Sequence, residues 1–213
     1  GGGKAIIFSQ GNKSKDMLRS FASFLNLLKG SYISAEDMGI TLDDIRFIKN
    51  YTDYVFDNED PGPFTAKGLF YSIEQAIEIY FSEGLKDKKI AIQGAGSVGK
   101  RLAEYLASSG AKVFISDIDQ SKLDKIKNKN IVCVDDTFSI ECELFSPCAI
   151  GAVFTKDSIH NLNCKIIAGG ANNQLLDAAI AEDLHQMGIV YIPDVLINSG
   201  GVIGLTKDFL KRD

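Results

Sequence analysis

The 213 residues are 45% hydrophobic and 24% charged, with a net charge of -5, the make-up of one or two globular domains able to bury a sizeable core. Lysines and arginines are scattered among carboxylates, so no basic stripe points to nucleic acid, and no apolar run approaches the roughly 18 residues of a membrane span. The first residues lack the layout of a signal peptide, which makes a cytoplasmic protein the expectation, with neither nucleic acid nor membrane as partner.

The chain opens "GGGKAIIF". The glycines by themselves read as a flexible terminal linker, or as slim backbone before a buried strand over residues 4–8 that lets a ligand approach. Residues 14–30, "SKDMLRSFASFLNLLKG", have apolar residues at helical spacing and end in Gly30, a helix stop. "YISAED" reads as a strand ending in two carboxylates, and "TLDDIRFIKN" as a helix capped by Thr41. The turn-rich stretch "YTDYVFDNEDPGPF" then marks a boundary. A long helix is predicted from Thr65, and beyond it strands and helices alternate: strands at "KIAIQG", "KVFISD", "IVCVD", "CELF", "CKIIAG" and "IVYIP", with helices at "VGKRLAEYLASSG" and "QSKLDKIKN". Nearly all-apolar strands in that alternation predict an α/β fold, a Rossmann-type doubly wound parallel sheet over residues 65–213, preceded by a small α/β domain over residues 1–64.

"KIAIQGAGSVGKRLAEYLASSGAKVFISDID" carries the most chemistry. A bare GxGxxG recurs by chance, but here it follows a strand, opens a helix and precedes a second strand ending in an acid. Gly94 makes the tight turn, Gly96 lets backbone reach a pyrophosphate, and Gly99 lets the helix pack on the strand. Ser97 and Val98 complete the turn at the helix N-terminus, where unpaired N–H groups and the helix dipole favour an anion. Asp117 is placed to accept from the adenine ribose hydroxyls and to repel a 2′-phosphate, so NAD is preferred over NADP. The alternative is a glycine-tolerant structural turn with no ligand.

Cys133, Cys142, Cys148 and Cys164 show no CxxC spacing, and only His160 and His185 are available to join them, so no metal site is expected; buried free thiols are. Neither histidine has a serine, cysteine or carboxylate constellation beside it, so a histidine-driven mechanism, such as that of a 2-hydroxy acid dehydrogenase, has no candidate.

Six stretches spread over nearly the whole chain, "GGGKAII", "YISAEDMG", "PGPFTAKG", "SPCAIGAVF", "AGGANNQL" and "PDVLINSGGV", occur in an order and spacing that resemble the glutamate, leucine, phenylalanine and valine dehydrogenase family. The resemblance implies NAD-dependent oxidative deamination of an L-amino acid to its 2-oxo acid and ammonium. It makes Lys4 the general base that activates water against an imine and Asp37 the group that moves protons on the substrate nitrogen. By residue type alone these two are a surface ion pair, but a lysine in a closed, poorly hydrated cleft loses its charge more readily than one in water. The resemblance further places Thr65 at the nicotinamide carboxamide, and Cys148, Ala149 and Asn172 along the cofactor near the reacting carbon; by type they are a helix cap, packed small residues and a turn asparagine. It assigns the substrate side chain to Ala35, Val202 and Leu205. All three are apolar, which favours an apolar, branched-chain amino acid, because an unpaired buried carboxylate costs several kcal/mol. A homo-oligomer is implied as well.

Family members carry further chain upstream of the glycine-rich lysine, including a second lysine that grips the substrate carboxylate, and helices beyond the equivalent of "GGVIGL". The sequence is therefore expected to be a fragment or a shortened relative. In the second case a non-catalytic NAD-binding protein with a structural or regulatory role is the alternative to an enzyme.

Overall fold

Successive residues of a β-strand point to opposite faces of its sheet, and in this chain both faces are apolar. The computed structural model describes residues 3–9, 13–37, 39–57 and 60–210, with side chains as far as Thr206; the first two glycines of "GGGK" and Met38 of "AEDMG" lie outside the described residues. The chain divides into two compact units, Gly1–Pro61 with Leu205–Asp213, and Gly62–Gly204.

In the first unit, α1 (Lys15–Leu27) is capped by Ser14, whose hydroxyl accepts from the Met17 N–H at 3.1 Å, and it buries Leu18, Ala22 and Leu25 along one face. The second helix, α2 (Leu42–Lys49), starts in a capping box: Thr41 Oγ1 accepts from the Asp44 N–H, and Asp44 Oδ2 accepts from the Thr41 N–H at 2.8 Å. Asp44 is also paired with Lys13. Ile45 and Ile48 of α2 join the α1 residues and Val55 in a small core. Among the described residues the strands expected over 4–8 and in "YISAED" do not form; only isolated bridges, Ser34 with Val55 and Asp37 with Ile40, take their place. A run of apolar residues becomes a strand only by bonding to a neighbour, and residues 4–8 are held instead by the Ala5 N–H donating to Tyr32 Oη at 3.1 Å. Ile6 and Phe8 are consequently exposed, at 91% and 92%.

The second unit begins with α3 (Gly62–Phe81), which starts ahead of Thr65 because Pro63 is accommodated in its first turn. There follow β1 (Lys89–Gln93), α4 (Ser97–Ser108), β2 (Lys112–Ser116), α5 (Gln120–Leu123), β3 (Ile131–Cys133), β4 (Leu144–Pro147), β5 (Ile166–Ile167), α6 (Ile180–Gln186), β6 (Val190–Tyr191), α7 (Asp194–Ile197) and α8 (Gly200–Leu210). The six strands pair in the order β3-β2-β1-β4-β5-β6, all parallel. Ile90 and Ile92 of β1, with Val113 and Ile115 of β2, point to the face covered by Leu69, Ile73 and Ile77 of α3 and Leu102 and Leu106 of α4. Ala91, Phe145 and Ile167 point to the opposite face, where Phe154, Ile180 and Leu184 cover them. The sheet is thus doubly wound. Next to α3, α8 presents glycine: a Cβ on Gly204 would stand 2.2 Å from the Phe64 ring. The four cysteines are free; Cys142 and Cys164 are buried, and burial pushes both thiols up to about 12. Cys148 is half-buried and Cys133 is exposed, against the expectation that all four are buried, because β3 lies at the sheet's edge. Among the described residues no helix is long and apolar enough to cross a membrane.

The two units rest on different terms, which denaturant unfolding separates. Phe145→Ala, emptying the aromatic cluster with Phe138 and Phe154, is expected to lower stability by about 3–5 kcal/mol. Thr41→Ala, removing one cap, is expected to lower it by only about 1 kcal/mol.

Candidate functional site

In an open parallel sheet the crevice for a ligand lies at the carboxyl ends of the strands where the strand order reverses, here between β1 and β4. Three loops converge there. Gly94, after β1, has φ +103, a conformation that side chains rarely adopt, and a Cβ on it would lie 2.9 Å from both the Cys148 carbonyl carbon and the Ala149 nitrogen. A Cβ on Gly99 would lie 1.9 Å from the Gly94 oxygen, so helix and strand end touch directly. Gly96 differs: nothing lies within 4 Å of the position a Cβ would take. It caps the 12-residue α4 without any side-chain hydrogen bond, leaving the helix start open to an anion. Two of the three glycines are explained by the protein's own packing, whereas Gly96 leaves room for something outside it.

Ser97 and Val98 form the first turn of α4. A Cβ on Gly170, in the loop after β5, would be 3.1 Å from Val98 Cγ1 and 3.7 Å from Cys148 Sγ, so the "AGGANN" loop closes the crevice's third side. That loop is fixed from within. Gln174, wholly buried, donates through Nε2 to the Gly169 and Ala171 carbonyls at 2.8 and 2.9 Å, and the Asn173 N–H donates to Asp194 Oδ2 at 2.6 Å. The Tyr191 hydroxyl donates to Asp194 Oδ1, and burial together with that carboxylate pushes the phenol up to about 12. Asn172 Oδ1 accepts from Asn198 Nδ2 at 2.6 Å.

Asp117 follows β2 with only 7% of its side chain accessible. Its Oδ2 accepts from the Ala95 N–H at 2.7 Å, tying β2 to the glycine turn, and its Oδ1 accepts from the Asp119 N–H at 2.9 Å. Burial pushes the carboxyl up, but these two N–H groups and the Lys122 ammonium outweigh it and hold the group below the usual carboxylate range. Ile118, next in the chain, is fully exposed. Neither Ile118 nor the part played by Lys122, Gln174 and Asp194 was read from sequence; an apolar residue between two acids in "SDID" is the one local signal.

The remaining candidates lie elsewhere. Lys4 and Asp37, 33 residues apart in sequence, form an ion pair in the first unit. The closed, dry cleft expected around Lys4 is not formed by that unit: the two side chains are 60% and 57% accessible, because residues 4–8 have no strand partner to cover them. Ala35 is half-buried between α1 and α2, Thr65 is half-buried in the first turn of α3, and Val202 and Leu205 are three residues apart on α8, hence on one side of that helix.

The family model described as Glutamate/Leucine/Phenylalanine/Valine dehydrogenase matches residues 60–121 and 114–209. A leucine dehydrogenase of Bacillus subtilis (strain 168) is 37% identical over 221 residues, covering 98% of this chain and 61% of the relative. An L-tryptophan dehydrogenase of Nostoc punctiforme (strain ATCC 29133 / PCC 73102) is 37% identical over 223 residues, covering 100% of this chain and 63% of the relative. The crystal structure of L-tryptophan dehydrogenase from Nostoc punctiforme superposes with a TM-score of 0.77 at 36% identity, over 95% of this chain and 61% of that one. The chain thus spans about three fifths of the length of the curated relatives it matches.

The glycines yield a test that separates packing from binding. Gly99→Ala is expected to destabilise the second unit by 1–3 kcal/mol or more, about the usual penalty for overpacking. Gly96→Ala should destabilise it far less, since its Cβ meets no protein atom within 4 Å, while any anion held at the start of α4 should bind more weakly, as titration would show.

Proposed function

Because the chain belongs to the glutamate, leucine, phenylalanine and valine dehydrogenase family, we propose that it is the core of an NAD-dependent enzyme, most like leucine dehydrogenase, that deaminates an apolar, branched-chain L-amino acid to its 2-oxo acid and ammonium. The observation that carries the reading is the pairing of Lys4 with Asp37 across 33 residues of sequence: the two groups that the resemblance names for proton transfer are brought together by the fold. An ion pair this exposed contributes at most about 1 kcal/mol to stability, so it does little for the fold.

The residues of the crevice fit NAD. An open helix start at Gly96, Ser97 and Val98 suits a pyrophosphate, Asp117 suits ribose hydroxyls and disfavours a 2′-phosphate, and Cys148, Ala149, Asn172 and Thr65 are read as lining the nicotinamide end. A bound NAD supplies the hydride acceptor. Lys4 is read as taking the proton from the water that adds to the substrate's imine carbon, and Asp37 as moving protons on the departing nitrogen. Ala35, Val202 and Leu205 are read as the side-chain pocket. A homo-oligomer is the proposed working form, supported by the uncovered apolar side chains of Ile6, Phe8 and Leu27. A second reading, a nucleotide-binding relative without catalysis, draws on the accessibility of the Lys4–Asp37 pair.

One variant decides between them. In the whole protein, Lys4→Ala is expected to lower kcat by about 10²–10⁴-fold, the usual contribution of a positioned acid or base, with NAD affinity nearly unchanged; a rate indifferent to Lys4 would favour the second reading. The pocket is tested by reductive amination, where branched aliphatic 2-oxo acids should outperform 2-oxoglutarate, with each methylene worth about 1–3 kcal/mol.

A further inference from the structure

At the carboxyl end of β2 the chain gathers two carboxylates and one ammonium, those of Asp117, Asp119 and Lys122. An ionised carboxylate has about four acceptor positions. On Asp117 the Ala95 and Asp119 N–H groups occupy one on each oxygen, and Lys122 Nζ stands 3.2 Å from Oδ1 and 3.3 Å from Oδ2. A ribose hydroxyl that Asp117 is to hold must therefore take the place of the ammonium. Lys122, on a flexible four-carbon stem and 42% accessible, is free to give way. It does not go far. Its helix, α5, is pinned by Asp119, whose Oδ1 accepts from the Ser121 N–H at 3.0 Å and from Ser121 Oγ at 2.7 Å. Asp119 also attracts the Lys122 ammonium, so when displaced from Asp117 it stays at the same strand end, beside the edge of the ribose.

We infer that Lys122 is a specificity-determining residue of the dinucleotide site: it offsets the charge with which Asp117 repels a 2′-phosphate, offers that phosphate a cation, and so admits NADP as a second cofactor beside NAD. The inference rests on the reading of the glycine turn as a dinucleotide site and adds to it a bound on selectivity. Asp117 alone favours NAD; Lys122 narrows the preference. For a partly exposed pair the effect is modest, about two- to fivefold in relative affinity.

The test is calorimetric titration of the whole protein with NAD and with NADP, using the parent, Lys122→Met and Lys122→Arg. Lys122→Met is expected to weaken NADP about two- to fivefold relative to NAD, Lys122→Arg to keep the parent ratio, and the difference to shrink in about 0.5 M salt. An unchanged NAD to NADP ratio in Lys122→Met overturns the role of Lys122 while leaving the dinucleotide site intact. A parent that binds NAD but not NADP overturns the inference alone; failure of both nucleotides to bind the parent overturns the dinucleotide reading itself, and the inference with it.

Discussion

No side chain fits between the end of β1 and the start of α4. The 1.9 Å that would separate a Gly99 Cβ from the Gly94 oxygen is about half an ordinary van der Waals contact, so the helix springs directly from the strand. Much of the second unit's candidate site follows from that contact. The start of α4 is brought to the point where the strand order reverses; Gly94 comes into contact with Cys148 and Ala149, drawing in the loop after β4; and the Ala95 amide is turned toward Asp117. The turn is gripped by three neighbouring strands' ends before any ligand arrives, which is the condition under which binding loses least to ordering.

The charged groups fall into two kinds according to what surrounds them. Asp117 is nearly buried and fully bonded, so its negative charge is a fixed property of the site and acts through a poorly screened medium. Lys4 and Asp37 are more than half accessible, and water screens what each does to the other. The first arrangement suits recognition, where a steady field selects among ligands.

Much of the sheet was legible because each strand of the second unit is apolar on both sides, and burial on both faces is the physical cause of that pattern: Ile90 and Ile92 on one face, Ala91 on the other. The glycine turn was legible because steric exclusion leaves only glycine at Gly94 and Gly99. "KAIIF" misled because apolarity reports a tendency to be covered, whereas a strand also needs a hydrogen-bonding neighbour, which no described residue supplies to residues 4–8. Asp117 was found by position, but its bonds to Ala95 and Lys122 were invisible, since they depend on the angle at which β2 meets the turn and on the rotamer of a side chain one helical turn on. Gln174 escaped for a related reason: a glutamine says nothing of its partners until the loop that it holds has closed.

The parallel pairing also sets what it costs to bring the two walls of the crevice together. The bond from Ala95 to Asp117 joins residues 22 apart, whereas that from Lys89 to Glu143, which flanks the pairing of β1 with β4, joins residues 54 apart. Closing the longer loop costs about 1 kcal/mol more in chain entropy, and contacts distant in sequence are the slow ones to form. Chain entropy thus weighs less on the half of the crevice built by β1 and β2 than on the half at Cys148 and Ala149, so the glycine turn is tied to its acid more cheaply than to its opposite wall.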